Sequence, residues 1–159
     1  MGKRVGLLLL IGLTLSPSRA SADITAFFGI TPTPATRVAK GIAVGAGLLI
    51  VAFEFEYSNT NEDEVELAPG LRTGMGNVLL QTPLAIGGFQ PYVTVGGGAY
   101  RETIGERQET SFAGNVGGGV KISIAGPLRL RLDYRVFNLS GDPLESRVHR
   151  IYAGANLKF

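Results

Sequence analysis

Between Leu128 and Val136, apolar and charged residues alternate without a break. Leu128, Leu130, Leu132, Tyr134 and Val136 share one parity, and Arg129, Arg131, Asp133 and Arg135 share the other. Alternation at period two specifies a β-strand, because successive side chains leave a strand on opposite faces. The pattern recurs along the chain. Leu49, Val51, Phe53, Phe55 and Tyr57 oppose Ile50, Ala52, Glu54 and Glu56; Val120, Ile122 and Ile124 oppose Lys121 and Ser123. At the C-terminus Ile151, Ala153, Ala155, Leu157 and Phe159 oppose Arg150, Tyr152, Gly154, Asn156 and Lys158. No helical period is present after residue 22. The longest apolar run there, residues 41–53, is too short for a membrane helix, which needs about 20 residues.

The pattern predicts eight strands, over about 24–30, 37–46, 49–58, 70–81, 89–101, 111–125, 127–138 and 148–159. Their connections alternate in kind. Residues 31–36, 59–69, 102–110 and 139–147 form long polar loops, whereas 45–48, 82–88 and 125–127 are short. Long loops then gather at one end of the strands, and tight turns with both termini at the other. Short turns on one side and long loops on the other are the plan of an outer-membrane barrel. Lipid offers no partner to a bare N–H or C=O, so strands cross it only in a closed barrel. Eight strands enclose a lumen just wide enough for side chains. The apolar parity then faces lipid and the charged parity fills the lumen. A soluble lipocalin-like barrel would reverse this, and the glutamates and arginines of strands three and seven do not suit an apolar ligand cavity.

The first 22 residues read as an address. Lys3 and Arg4 precede an apolar run over 5–15, Ser16-Pro17 interrupts it, and Ala20-Ser21-Ala22 fits the small-residue cleavage pattern. Cleavage there makes Asp23 the first residue of a barrel domain over 23–159. Composition agrees once this segment is set aside. Of fifteen Lys and Arg, Lys3, Arg4 and Arg19 fall within it, leaving twelve against thirteen acids, so the basic balance is no argument for nucleic acid. Cysteine is absent and histidine occurs once, which rules out thiolate or multi-histidine metal sites, lipoprotein processing and a cysteine nucleophile. No cofactor is expected.

The signal segment, eight alternating strands, loop asymmetry and terminal Phe159 together resemble the small eight-stranded bacterial outer-membrane barrels of the OmpA-like and opacity-porin type. The resemblance implies an all-β, closed antiparallel up-and-down barrel with both termini periplasmic. It also implies outer-membrane lipids as surroundings. Ile151, Leu157 and Phe159 then form a terminal insertion signal read by the barrel-insertion machinery. Activity does not follow, since such barrels serve as anchors, adhesins, small pores and occasional lipid-modifying enzymes. The sequence departs from the pattern in lacking Trp, so interfacial aromatic girdles fall to Tyr57, Tyr92, Tyr100, Phe112 and Phe159. Gly96-Gly97-Gly98 and Gly117-Gly118-Gly119 weaken two strands unless they make room for lumen side chains or a bend.

Three groups carry chemistry. Strands three and seven of eight lie opposite one another, so Glu54 and Glu56 are expected to meet Arg131, Arg135 or Lys121 at mid-height, with Asp133 in the same cluster. Charges taken from water need such partners. Residues 59–66 (NTNEDEVE) hold four acids but lack the glycine turn and ligand spacing of a calcium loop, which favours a solvated surface loop. His149 has Ser146 and Glu145 nearby. A lipid A deacylase of the same barrel type uses His, Ser and Glu, but with His and Ser two apart, where this chain has Arg147 and Ile151. The expected role is therefore non-catalytic, structural or loop-presenting. A narrow pore for small solutes or ions is the first alternative, and a lipid-modifying enzyme the second.

Overall fold

A computed structural model describes residues 20–159. The predicted leader over 1–22 lies outside them except for Ala20, Ser21 and Ala22. Eight strands close into one antiparallel barrel in sequence order: β1 (Ala20–Thr31), β2 (Arg37–Leu48), β3 (Val51–Thr60), β4 (Gly70–Gln81), β5 (Phe89–Ile104), β6 (Arg107–Ala125), β7 (Leu128–Leu139) and β8 (Arg147–Lys158). The seam joins β1 to β8, from Asp23 opposite Lys158 to Ile30 opposite Ile151. The expected all-β closed barrel of eight strands is the observed one.

The strand ends differ most from expectation at three places. The chain turns tightly at Leu49-Ile50, with Leu49 in the left-handed region at φ 54°, so β3 begins at Val51. β1 begins at Ala20, pairing Ala20, Ser21 and Ala22 with Leu48, Gly47 and Ala46. Cleavage before Asp23 would remove those three pairs and keep the seam. The stretch 102–110, expected as a loop, continues the β5–β6 hairpin down to Gly105-Glu106, with Ile104 opposite Arg107. Its charges sit on both faces because the hairpin projects past its neighbours: β4 ends opposite Thr103, and β7 opposite Ala113. The remaining long connections, 32–36, 61–69 and 140–146, share that end of the barrel.

Parity decides what faces out. Phe53, Phe55, Leu130, Leu132, Ile151 and Leu157 are exposed, Phe55 at 57%, while their neighbours Glu54, Glu56 and Arg131 are buried. Val120 and Ile122 also face outward but are half-covered by the wall. Tyr57, Phe112 and Phe159 are exposed as expected of a girdle. Tyr92 and Tyr100 are a correction. Both are buried, because the outward parity of β5 belongs to Phe89, Val93 and Val95. With Tyr92 inside, the outward aromatics include Phe28, Phe53, Phe55, Phe89 and Tyr134. Phe159 lies just past β8, and its N–H donates to the Ala22 carbonyl at 2.8 Å.

The row of paired residues around the wall is staggered. Tracing Asp23, Gly45, Glu54, Asn77, Gly96, Asn115, Phe137 and Val148 across successive strands returns to β1 nearer the loop end than Asp23. Such stagger is what tilts strands in a closed barrel. It also means that residues facing each other across the lumen do not share a sequence row.

Candidate functional site

The lumen is the candidate site, and it is filled in layers. At the turn end, Asp23 on β1 accepts from Lys121 Nζ at 2.6 Å and Arg129 Nη2 at 3.0 Å. Arg129 also donates to Gln90 Oε1 at 2.8 Å and to Asn156 Oδ1 at 2.7 Å. Lys121, expected beside Glu54 and Glu56, pairs with Asp23 instead. It stands directly opposite Arg131 in the β6–β7 ladder, so two inward cations compete there. Arg131 reaches Glu54, and Lys121 turns toward Asp23.

The middle layer holds the other five expected residues. Arg131, fully buried, grips Glu54 through both terminal nitrogens, Nη2 to Oε1 at 3.3 Å. Arg135 donates from Nη2 to the same Oε1 at 2.9 Å and from Nε to Asp133 Oδ1 at 2.9 Å. Asp133 also lies 3.3 Å from Arg131 Nη2 and accepts from the Tyr92 hydroxyl. That hydroxyl in turn accepts from Arg131 Nε at 2.7 Å. Glu56 sits 3.1 Å from Arg135 Nη1 and accepts from Arg150 Nη2 at 2.5 Å. Arg135 thus bridges both glutamates. A guanidinium suits this place because its planar fork serves several carboxylate oxygens at once.

Glycine makes the room. Gly96 lies between Asn77 and Asn115 in the ladder, and a Cβ on it would stand 2.0 Å from Asn77 Oδ1. Without one, Asn115 donates to Asn77 at 2.8 Å, and Asn77 donates to Glu54 at 3.4 Å. Gly119 leaves the Tyr92 hydroxyl its place, since a Cβ there would lie 2.5 Å from it. This is the purpose of glycines that otherwise weaken strands.

Toward the loop end the ion pairs give way to apolar packing and hydroxyl pairs, with Ser58 bonded to Thr73 at 2.7 Å and Thr31 to Thr60 at 3.2 Å. Arg150 bonds Ser58 at 2.7 Å and lies against the rings of Phe137 (4.7 Å), Phe27 (5.1 Å) and Tyr152 (5.4 Å). Beyond it Leu71, Met75, Tyr100, Ala113, Phe137, Leu139 and Val148 pack together as a buried apolar layer on the β4–β8 side of the bore. The Tyr100 hydroxyl donates to the Ser140 carbonyl at 2.5 Å, fastening the loop above. A cavity of about 340 Å³ opens at the turn end, lined among others by Asp23, Gln90, Lys121 and Arg129, and it extends as far as Glu54.

Sequence reasoning placed Glu54, Glu56, Arg131, Asp133 and Arg135 on the inner face but missed Asp23, Arg129, Arg150 and Tyr92 as members of the network. Parity signals the first three. Asp23 shares the parity of buried Thr25, and Arg129 and Arg150 oppose apolar faces. Only the stagger says which partners they meet.

The other candidates are placed elsewhere. His149 lies on the outer wall with Nδ1 2.7 Å from the Tyr134 hydroxyl. Among the described residues no hydrogen bond joins it to Ser146 or Glu145. The acidic loop is folded on itself: Asp63 accepts the N–H groups of Val65 and Glu66 at 3.1 and 3.2 Å and pairs with Ala68. Glu62 accepts from Gly105 N–H at 2.5 Å. No cluster of metal-ligating side chains occurs among the described residues.

No protein-family model and no curated relative matches the chain. Solved structures do. Neisserial surface protein A superposes with a TM-score of 0.70 at 16% identity, covering 88% of this chain and 97% of that one. The N-terminal β-barrel domain of Pseudomonas aeruginosa OprF gives 0.64 at 17% identity, over 87% and 97% of the two chains. The outer membrane enzyme PagL gives 0.56 at 11% identity, over 85% and 98%. The same barrel therefore carries proteins of different function, and it is the fold of the small eight-stranded outer-membrane barrels that this chain shares.

Proposed function

We propose that the protein is a non-catalytic outer-membrane barrel that stabilises the membrane or presents its loops at the cell surface. The observation that carries this reading is the closed bore. From Glu54 to Leu139 the lumen is occupied first by mutually paired charges and then by a packed layer of apolar side chains and paired hydroxyls. A steady aqueous path would require water where Met75, Phe137 and Val148 pack. In planar bilayers the purified protein is expected to give no stable unit conductance. A reproducible open level at neutral pH would favour the pore reading instead.

In this reading the leader is removed before Asp23, the C-terminal strand with Ile151, Leu157 and Phe159 is handed to the insertion machinery, and both termini lie in the periplasm. The residues 32–36, 61–69, 105–106 and 140–146 then face outward. N-terminal sequencing of the membrane-embedded protein tests the cleavage site. Labelling of a cysteine placed in 140–146 on intact cells tests the orientation. Lipid modification is disfavoured by the pairing of His149 with Tyr134 in place of an acid and a nucleophile.

A further inference from the structure

The outer wall carries one feature that neither lumen closure nor lipid burial explains. Near the loop end, one lateral row of outward residues crosses five strands. Lys40 on β2 pairs with Asn59 on β3, Asn59 with Arg72 on β4, Arg72 with Arg101 on β5, and Arg101 with Thr110 on β6. Adjacent strands lie about 4.8 Å apart, so the three cations stand within a few strand widths of one another, on a row that climbs toward the loop end from β2 to β5 with the stagger of the wall. All three are exposed. Among the described residues none of the three forms a salt bridge, and Arg101 bonds only the Thr110 hydroxyl, at 3.2 Å. Glu62 lines a recess with Arg72 and Thr103 but gives its carboxylate to Gly105. Arg72 and Arg101 are direct cross-strand neighbours, and like charges so placed repel.

The row also sits at a boundary. The next outward row toward the turn end reads Ile42, Tyr57, Gly74, Ala99 and Phe112. Cations therefore stand immediately above an aromatic and aliphatic edge of the kind that marks a membrane interface. A furrow lined by Lys40, Gly41, Ile42, Tyr57, Asn59 and Arg72 leads from one row to the other. Gly74 leaves open space beside Tyr57, with no atom within 4 Å of where its Cβ would be.

We propose that Lys40, Arg72 and Arg101 bind the phosphates of a phosphorylated glycolipid of the surrounding leaflet, one acyl chain lying in the furrow. Uncompensated cations at headgroup height complement a phosphate, and guanidinium takes it bidentately. Asn59 and Thr110, interleaved in the same row, supply partners for sugar hydroxyls, which favours a glycolipid over a simple phospholipid. Assigning the lipid to the outer leaflet rests on the orientation proposed above; the site itself does not.

The test is lipid retention in phosphatidylcholine nanodiscs, read by native mass spectrometry. Four arms carry bis-phosphorylated lipid A, lipid A stripped of phosphate, phosphatidylglycerol, or inorganic phosphate. Wild type should retain bis-phosphorylated lipid A over the other three. R72Q/R101Q should weaken retention about tenfold or more, as the loss of two charge-assisted contacts implies. R72K/R101K should keep most of it. R147Q/K158Q, which removes two charges outside the row, should change little. β-sheet circular dichroism confirms that each variant is folded. Equal retention of phosphatidylglycerol overturns the glycolipid, and retention independent of phosphate or of the row overturns the site. Both nanodisc faces are alike, so a failed surface-labelling result would overturn the orientation alone.

Discussion

Glu54 illustrates how much a single lumen side chain is asked to hold. It is the shared acceptor of Arg131 and Arg135 and also receives Asn77. Removing one partner of a buried ion pair leaves an uncompensated charge at a cost of about 3–5 kcal/mol, whereas removing both is far milder. Glu54→Gln is therefore expected to destabilise the barrel by that order, and Glu54→Gln combined with Arg131→Met by distinctly less. Arg135 keeps Asp133 and Glu56 in the double variant. Urea unfolding in lipid vesicles gives the comparison, and equal losses in the two variants would show that the pairs act independently. Gly119→Ala makes a complementary prediction. Its Cβ would meet the Tyr92 hydroxyl and the Leu132 carbonyl, so the change should cost about 1–3 kcal/mol, and Tyr92→Phe should recover only the side-chain part of the clash. At this scale the sequence told inside from outside wherever charge marked one parity. It failed at Tyr92 and Tyr100, because β5 offers valine on one parity and threonine, glycine and tyrosine on the other, with little polar contrast between them.

The strands were legible for a reason that also sets their response to mutation. A wall one residue thick has lipid on one side and a charged lumen on the other, so each strand must alternate through its whole span. An arginine on the lipid face should then cost according to depth. Leu132→Arg, at the middle of β7, is expected to destabilise by about 2–4 kcal/mol, and Ile124→Arg, at the turn end of β6, by about 0–1 kcal/mol. Equal costs at the two positions would contradict a membrane-spanning wall. Beyond the membrane this logic lapses. Glu102, Arg107, Gln108 and Glu109 gave no alternation, and the extended β5–β6 hairpin was read as a loop. Its outer part on β6, from Arg107 to Phe112, pairs only with β5. Amides there that point away from β5 have no strand partner, so they should exchange with solvent well before those of 113–123, as hydrogen-exchange mass spectrometry of the folded protein can show.

Taken whole, the barrel separates two jobs between its two faces. The outward parity satisfies the membrane, and the inward parity fills a fixed bore. What the sequence could not convey was the stagger that connects them, since register around a closed sheet is a property of all eight pairings together. Lys121 faced inward as its parity required, yet the pairing that stagger selects is with Asp23. The separation of faces has a consequence for the entire molecule. Replacing Glu54, Glu56, Asp133, Arg131, Arg135 and Arg150 together by alanine removes three acids and three bases, so no charge is stranded by imbalance within that layer. Every outward residue and every ladder hydrogen bond is left in place. The variant should therefore still fold and insert, at reduced stability, because the lipid-facing surface and strand closure are untouched. Its middle layer becomes a water-filled chamber continuous with the cavity at the turn end. Conductance should nevertheless stay absent while Met75, Phe137 and Val148 close the bore above, and should appear only when those three are also cut back to alanine. Circular dichroism and vesicle insertion check the first half of the expectation, and planar-bilayer recordings of the two variants check the second. Current through the six-residue variant alone would mean that the charges, and not the apolar layer, form the seal.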